Sequence, residues 1–456
     1  MPMREGLATA LEAVVGAAHL VTDAAVAAYA IDGVCPGLVV CPADADEILA
    51  VLRLATEYQA TVFPRGGGSH LGLGQTPAQV DLVLSVERLQ QQVAYEPADL
   101  TTTVQAGMRF TALQQTLHAQ GQFLALDPPV TPATTIGGVV MTNVSGPRRL
   151  LYGTVRDVLL GTMVVTVDGT RVKAGGRVVK NVTGYDVNKL YIGSLGTLAI
   201  LVELTCKLHP LPPGELTLAF GCETPTDLAV ILPTVLHVPL RLNSLELLNE
   251  PSCATLAACT GLTLPDTAYT LVARVEGTPE VTQSQAQRLI NALQRLALPR
   301  SVSVYTWQAT EQESLWAALG TLTQGTTDTS EAPLGVVAKV SLLMDALPAL
   351  CHAVQEIAGH ADTPWSLVAH AGSGIVYVGM PGMAGETSEV AHLLAQVQAL
   401  QTCVEGLHGH MVVERAPLAV KQRWPVWGAP RDDFALMRAI KTSYDPQNRL
   451  NPGRFV

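Results

Sequence analysis

Charge is scarce in this chain, and what there is leans negative. Charged residues make up 15% of the 456 positions, and 28 basic against 39 acidic side chains leave −11. No run or stripe of Lys and Arg offsets that balance. This excludes nucleic acid or an anionic membrane as the main partner, since both require a cationic face. Long apolar runs are missing too: nothing reaches the roughly 18 residues that a membrane-spanning helix needs. Met1 to Val21 is Ala-rich and broken by acidic residues, so it reads as an amphipathic first helix rather than a signal peptide. The eight cysteines, at 35, 41, 206, 222, 253, 259, 351 and 403, form no Cys-x-x-Cys pair. Neither a disulfide framework nor a zinc or iron–sulfur site is expected, which points to a reducing, cytoplasmic setting.

Apolar residues are plentiful, at 48%, enough for a large core divided among about three domain-sized units. Glycine is the informative residue. Residues 65–200 are fewer than a third of the chain yet hold 18 of its 39 glycines. Glycine concentrates where backbone must turn with positive φ or approach a ligand closely, so the front half is expected to carry a backbone-lined site. There, Asp44 with Glu47 reads as a capping box for a helix with Ile48, Val51, Leu52 and Ala55 on one face. A strand over Thr61 to Pro64 then runs into Arg65-Gly66-Gly67-Gly68-Ser69-His70-Leu71-Gly72-Leu73-Gly74. Further strands are expected at Asp81 to Ser85, Leu100 to Ala106 and Thr197 to Leu208, with a hairpin about Asp168-Gly169. Pro210-Leu211-Pro212-Pro213-Gly214 marks a domain boundary. Beyond it, strands and helices alternate as two βαβ-type units fused in one helix-covered antiparallel sheet.

Three glycines after a strand present a row of free amide N–H groups, a concavity suited to phosphate or pyrophosphate; a tight strand-to-strand turn would use the same residues. A second constellation decides between the two. Asp127-Pro128-Pro129-Val130-Thr131-Pro132-Ala133-Thr134-Thr135-Ile136-Gly137-Gly138 leads to Asn143-Val144-Ser145-Gly146 and to Tyr152-Gly153-Thr154-Val155-Arg156-Asp157. Lys180-Asn181-Val182-Thr183-Gly184-Tyr185-Asp186 and Gly193-Ser194-Leu195-Gly196-Thr197-Leu198 follow. Hydroxyls, an amide and glycines in this order can line a long polar ligand.

This ordered set resembles the FAD-binding domain of the vanillyl-alcohol oxidase or p-cresol methylhydroxylase (PCMH) type, and within it the FAD-binding E-type subunit of glycolate oxidase. Asp445-Pro446 through Leu450-Asn451-Pro452-Gly453-Arg454-Phe455 resembles that group's C-terminal tail. The resemblance implies an α+β fold. A PCMH-type FAD-binding domain would occupy 1–212, with subdomains of about 1–95 and 96–212. An antiparallel-sheet cap domain with ferredoxin-like βαβ units would occupy 213–430, and the tail 431–456 would return to the flavin. It further implies a non-covalent FAD with Arg65, Gly66, Gly67, Gly68, Ser69, His70, Leu71 and Gly74 around the pyrophosphate. Pro128, Thr131, Thr134, Thr135, Gly137 and Gly138 would lie along the flavin and ribityl chain. Asn143, Ser145, Gly146 and Gly153 would lie near its middle, Gly196, Thr197 and Ile200 at the adenosine end, and Asn451 and Arg454 would come from the tail. In members that link flavin to histidine, the histidine stands four residues past the arginine; here that place is Ser69.

Oxidising a 2-hydroxy acid requires a cation for the carboxylate and a base for the hydroxyl proton. Lys339, His370, His410 and Arg415 end cap strands, and His370 and His410 are the expected catalytic residues. Related D-lactate and glycolate dehydrogenase subunits bind a divalent metal through His-x-Gly-Asp-Gly-Asn-Leu-His and a later Glu-His-Gly. This chain has Tyr377 at the second histidine's place and no Glu-His-Gly, so no metal is expected. The resemblance implies an FAD-dependent subunit of a glycolate or D-lactate dehydrogenase complex. It would work beside a second flavoprotein subunit and an iron–sulfur subunit, cytoplasmic and meeting the inner membrane only through those partners. The alternative is an FAD-binding assembly subunit without substrate chemistry of its own. A flavoenzyme of sugars or cell-wall precursors shares the fold but matches Lys180 to Asp186 and the tail less well.

Overall fold

The computed structural model describes residues 2–177, 185–299, 302–324, 335–359, 364–382 and 387–455. The first helix, Pro2–Val15, buries Leu7, Leu11 and Val15. It packs beside the helix Ala45–Glu57, whose apolar face is Ile48, Val51, Leu52 and Ala55. Asp44 caps that helix by accepting from the amides of Asp46 and Glu47. Glu47 reaches one residue further back than a capping box requires, accepting from the Ala43 amide at 2.7 Å.

A four-stranded sheet runs in the order Leu20–Val21, Leu38–Val40, Leu82–Ser85, Val62–Arg65, with its last three strands parallel. An antiparallel five-stranded sheet follows in the order Gln92–Glu96, Thr101–Gln105, Ile200–Lys207, Leu159–Val165, Arg171–Gly175. Burial along the strand expected at Thr197 to Leu208 does not alternate cleanly. Bulges near Glu203 and Cys206 shift the register, and Leu201 and Thr205 are buried along with Leu198, Ile200, Val202, Leu204, Cys206 and Leu208. One apolar core spans Leu7 to Leu208 and takes in Leu450; a second spans Leu216 to Val426.

The second core underlies an eight-stranded antiparallel sheet. Its order is Val304–Trp307, Glu215–Cys222, Tyr269–Glu276, Leu242–Asn249, Ser366–His370, Ile375–Met380, Val336–Ser341, His410–Arg415. Counted in chain order, the first four strands lie 4-1-3-2 and the last four 2-3-1-4. These are two ferredoxin-like units joined where Glu246 stands opposite His370. Helices Pro225–His237, Pro279–Gln294, Leu347–Ala358 and Thr387–Gly406 cover one face. Part of the other face meets the first domain, where Arg148 pairs with Glu215 at 3.3 Å and the Tyr152 hydroxyl donates to Glu276 at 2.7 Å. Among the described residues no helix is long and apolar enough to cross a membrane.

Candidate functional site

The strand Val62–Arg65 delivers the glycine loop to an open cleft of about 900 Å³. Arg65 to Leu71 form one wall, and none of the amides from Gly66 to His70 donates a backbone hydrogen bond among the described residues. Five unsatisfied donors in a row suit an anionic diphosphate. The triplet needs glycine chiefly to seat against the 133–135 segment. A Cβ at Gly67 would stand 1.5 Å from the Ala133 carbonyl oxygen, and one at Gly66 2.3 Å from Thr135 Oγ1. Arg65 folds back, its guanidinium 4.4 Å from the Tyr29 ring centre and its Nε buried without a partner.

The opposite wall combines Thr135, Gly137, Gly138, Met141 and Thr142 with Leu195, Gly196, Ala199, Ile200 and Leu201, and Asn451 and Arg454 close it from the tail. Thr135 caps its helix, accepting from the Gly138 amide at 3.2 Å. Gly137 lies against the next strand, where a Cβ would stand 2.6 Å from the Ala106 oxygen. Ile31, Pro64, Leu73, Val86 and Ala106 complete the lining. Apart from Leu73, which falls within the glycine loop, nothing in the motifs marks these residues, since they offer only apolar surface or backbone.

Several residues expected around the ligand lie outside this lining, with other work to do. Gly74 has φ +98° and backs onto the Arg454 carbonyl. The Thr134 hydroxyl accepts from the Thr131 amide at 2.9 Å, and Pro128 is buried beside the same loop. Asn143 is the left-handed residue ending the helix Ile136–Thr142, and Ser145 accepts from Arg149 at 3.3 Å. A Cβ at Gly146 would strike the Asp127 carbonyl at 2.0 Å, and one at Gly153 the Asp157 carboxylate at 2.4 Å. The Thr197 hydroxyl donates to Ser194 at 2.7 Å. Residues 180–184 of the Lys180–Asp186 motif lie outside the described residues.

A second cavity, about 700 Å³, adjoins the first and shares Ser69, His70 and Leu73 with it. Its far wall is cap: Val337, Glu414, Arg415 and Ala416, with Thr323, Gln324 and Asp32 beside them. Strand register assembles the chemistry here. Glu246 pairs with His370, Lys339 pairs with Tyr377, and Glu414 is the unpaired residue of a bulge between Val413 and Arg415 on the strand beyond Lys339. Directly opposed residues share one face of a sheet, and the bulge lets Glu414 and Arg415 line the same cavity. One row of titratable groups thus crosses the strands from Glu246 through His370, Tyr377 and Lys339 to Glu414.

The Lys339 ammonium is 3.3 Å from Glu414 and 5.8 Å from the centre of the Tyr377 ring. Burial works against its charge, but Tyr377 and Glu414 together outweigh that and raise its pKa. Burial pushes the Tyr377 hydroxyl up to about 12. Arg415 donates to Gln324 at 2.7 Å, with burial lowering its pKa. Burial likewise lowers His70, whose Nδ1 is 3.1 Å from Ser69 Oγ and whose Nε2 is buried without a partner.

The two histidines expected to be catalytic stand elsewhere. His370 is 2% exposed, its Nδ1 held 2.8 Å from the buried Glu246 carboxylate and its ring edge-on to Tyr377, and it lines neither cavity. His410 starts the strand that Arg415 ends, about 16 Å away at the usual strand rise, opposite Ser341. Arg415 is the cap candidate that lines the second cavity, and Lys339 reaches it through Glu414. Glu414 joins them unannounced, and Tyr377 is marked in the sequence only as the place of a missing metal ligand, because charged or hydroxylated positions in apolar strands show no partner until the register is known. Among the described residues no three His, Cys, Asp or Glu side chains gather as a metal site.

Comparison with known proteins agrees with this geometry. Residues 36–175 match the model of an FAD binding domain, and residues 211–455 match that of the FAD linked oxidases, C-terminal domain. The glycolate oxidase subunit GlcD of Bacillus subtilis is 27% identical, covering 92% of this chain and 89% of that one. D-2-hydroxyglutarate dehydrogenase of Xanthomonas citri is 28% identical with the same coverage. D-lactate dehydrogenase of Archaeoglobus fulgidus is 27% identical over 92% of this chain and 91% of its own. Among solved structures, p-cresol methylhydroxylase superposes with a TM-score of 0.77 at 15% identity, covering 100% of this chain and 97% of that one. That likeness establishes the PCMH-type fold. With a glycine-loop cleft whose free amides fit a dinucleotide, and a C-terminal half matched along its length, the chain belongs to the FAD-linked oxidases, oxidoreductases that bind FAD.

Proposed function

We propose that this chain oxidises a small 2-hydroxy acid where the FAD cleft meets the cap sheet, as the flavin-bearing subunit of a larger dehydrogenase. One observation carries the reading: Ser69, His70 and Leu73 of the glycine loop line both cavities, and Glu414 and Arg415 face them across the second. Arg65 to Leu71, Thr135, Gly137, Gly138, Gly196, Ile200 and Asn451 hold the dinucleotide. The FAD domain extends over 1–212, the cap over 213–430, and 431–456 returns to the cleft. FAD supplies the acceptor for the two electrons of the α-carbon–hydrogen bond. Arg415, whose fork of donors suits a carboxylate, receives the acid group. Burial holds the His70 imidazole neutral. With Nδ1–H donating to Ser69 Oγ, its Nε2 presents a lone pair to the substrate hydroxyl. Relatives named for glycolate, D-lactate and D-2-hydroxyglutarate support the substrate class. The subunit status of the first supports a multi-subunit assembly, for which a second flavoprotein and an iron–sulfur subunit are the partners proposed.

The test is anaerobic mixing of the holoprotein with glycolate, D-lactate or D-2-hydroxyglutarate while flavin absorbance is followed. Bleaching by one of the three is expected. Because the folded pKa of His70 lies below 6.5, its base form persists to more acid pH than a free imidazole's. The bleaching rate should therefore fall at a more acid pH than a free imidazole base would give. A second reading, an assembly subunit without substrate chemistry, gains from the burial of His370 away from both cavities. Under it, no hydroxy acid bleaches the isolated flavin and bleaching appears only once partners are added.

A further inference from the structure

The tail residue Arg454 and the cap residue Lys421, both nearly buried, converge on one carboxylate, Asp32. Asp32 sits with φ +49° beside Gly33 in a two-residue hairpin turn, closed by the paired amides and carbonyls of Ile31 and Val34. An Asp-Gly pair is what such a turn selects. Arg454 Nη1 donates to Asp32 at 2.8 Å and to the Gln75 carbonyl at 2.6 Å, and its Nη2 donates to the carbonyls of Leu71 and Leu73. Lys421 Nζ donates to Asp32 at 2.5 Å and to the Gly72 carbonyl at 2.8 Å. Four of the five guanidinium donors are thus taken by protein acceptors. Arg454 borders the cleft, but it has little left to offer a phosphate.

We propose that Asp32, Lys421 and Arg454 are positioning residues that set FAD affinity through the loop. By drawing the carbonyls of 71, 72, 73 and 75 to one side, they hold the preceding amides, Gly66 to His70, toward the cleft. The inference rests on reading the cleft as the FAD site, and it predicts an effect opposite in sign to simple electrostatics. Asp32 is an anion near a dianionic diphosphate and is not part of the cleft lining. If charge alone mattered, removing it would tighten FAD.

The test is FAD titration of deflavinated Asp32→Asn, Lys421→Gln and Arg454→Lys proteins against wild type, with far-ultraviolet circular dichroism confirming the fold. Asp32→Asn should weaken FAD about tenfold, the scale of one lost charged hydrogen bond. Lys421→Gln, which leaves every Arg454 bond in place, should weaken it about threefold. Arg454→Lys should fail to rescue, because one ammonium cannot span four acceptors. Unchanged or tighter binding by Asp32→Asn, or wild-type affinity in Arg454→Lys, overturns the clamp. If Asp32→Asn does not fold, Lys421→Gln decides, with unchanged affinity counting against it. A wild-type protein that takes up no FAD would instead refute the cleft assignment.

Discussion

The cleft and the cap junction are built from different materials. The polar part of the cleft is largely main chain, with free amides, glycines that let two segments touch and a few hydroxyls set among apolar side chains. The junction is side chain, with Lys339, Tyr377, Glu414 and Arg415 set on three different strands. A main-chain site requires glycine at contiguous positions and so writes itself into local sequence. A side-chain site requires only that one charged residue appear in each of several strands, and the spacing along the chain carries no sign of it.

Substitutions can break this contrast or sharpen it. The largest effect is expected from Gly67→Ala. Its methyl group would meet the Ala133 oxygen at 1.5 Å, so the loop cannot seat. We expect a loss of at least ~3 kcal/mol in unfolding free energy and no flavin-bearing protein on purification. Recovery of yellow protein with a normal unfolding midpoint would show that the cleft tolerates side chains after all. At the junction, Arg415→Leu should raise KM for the hydroxy acid about 10- to 100-fold while leaving flavin content unchanged. A loss of flavin instead would mean that the two regions are not separable. His370→Gln should cost about 1–3 kcal/mol of stability, because it disturbs a buried bond to Glu246, and should leave KM where it was. The smallest effect belongs to Gly72→Ala, whose added Cβ would have no heavy atom within 4 Å. Its unfolding free energy should stay within about 0.5 kcal/mol of wild type, showing that it is contact, not glycine as such, that matters.

The same contrast explains what could be read beforehand. The strand into Arg65, the glycine loop and Thr135-Ile136-Gly137-Gly138 are legible because each is a local demand on backbone. Gly146 and Gly153 were equally conspicuous, yet they serve close contacts with Asp127 and Asp157 inside the protein. A glycine announces proximity without naming the neighbour. His370 misleads for a related reason. The residues after it, Ala371-Gly372-Ser373-Gly374, look like an open turn in sequence, but Glu246, from a strand of the other ferredoxin-like unit, draws the ring inward. Tyr377 and Glu414 acquire meaning only as the strand-mates of Lys339.

The parallel bridge between Val62 and Leu450 has a consequence for how the holoprotein is made. The strand that leads into the glycine loop is synthesised long before the residues that fasten beside it and reach Leu195 through Asn451. Until they arrive, a nascent chain presents the nucleotide with a trough open along one side. Productive capture of the cofactor therefore belongs after translation of the tail. Trimming the residues there would yield a colourless protein.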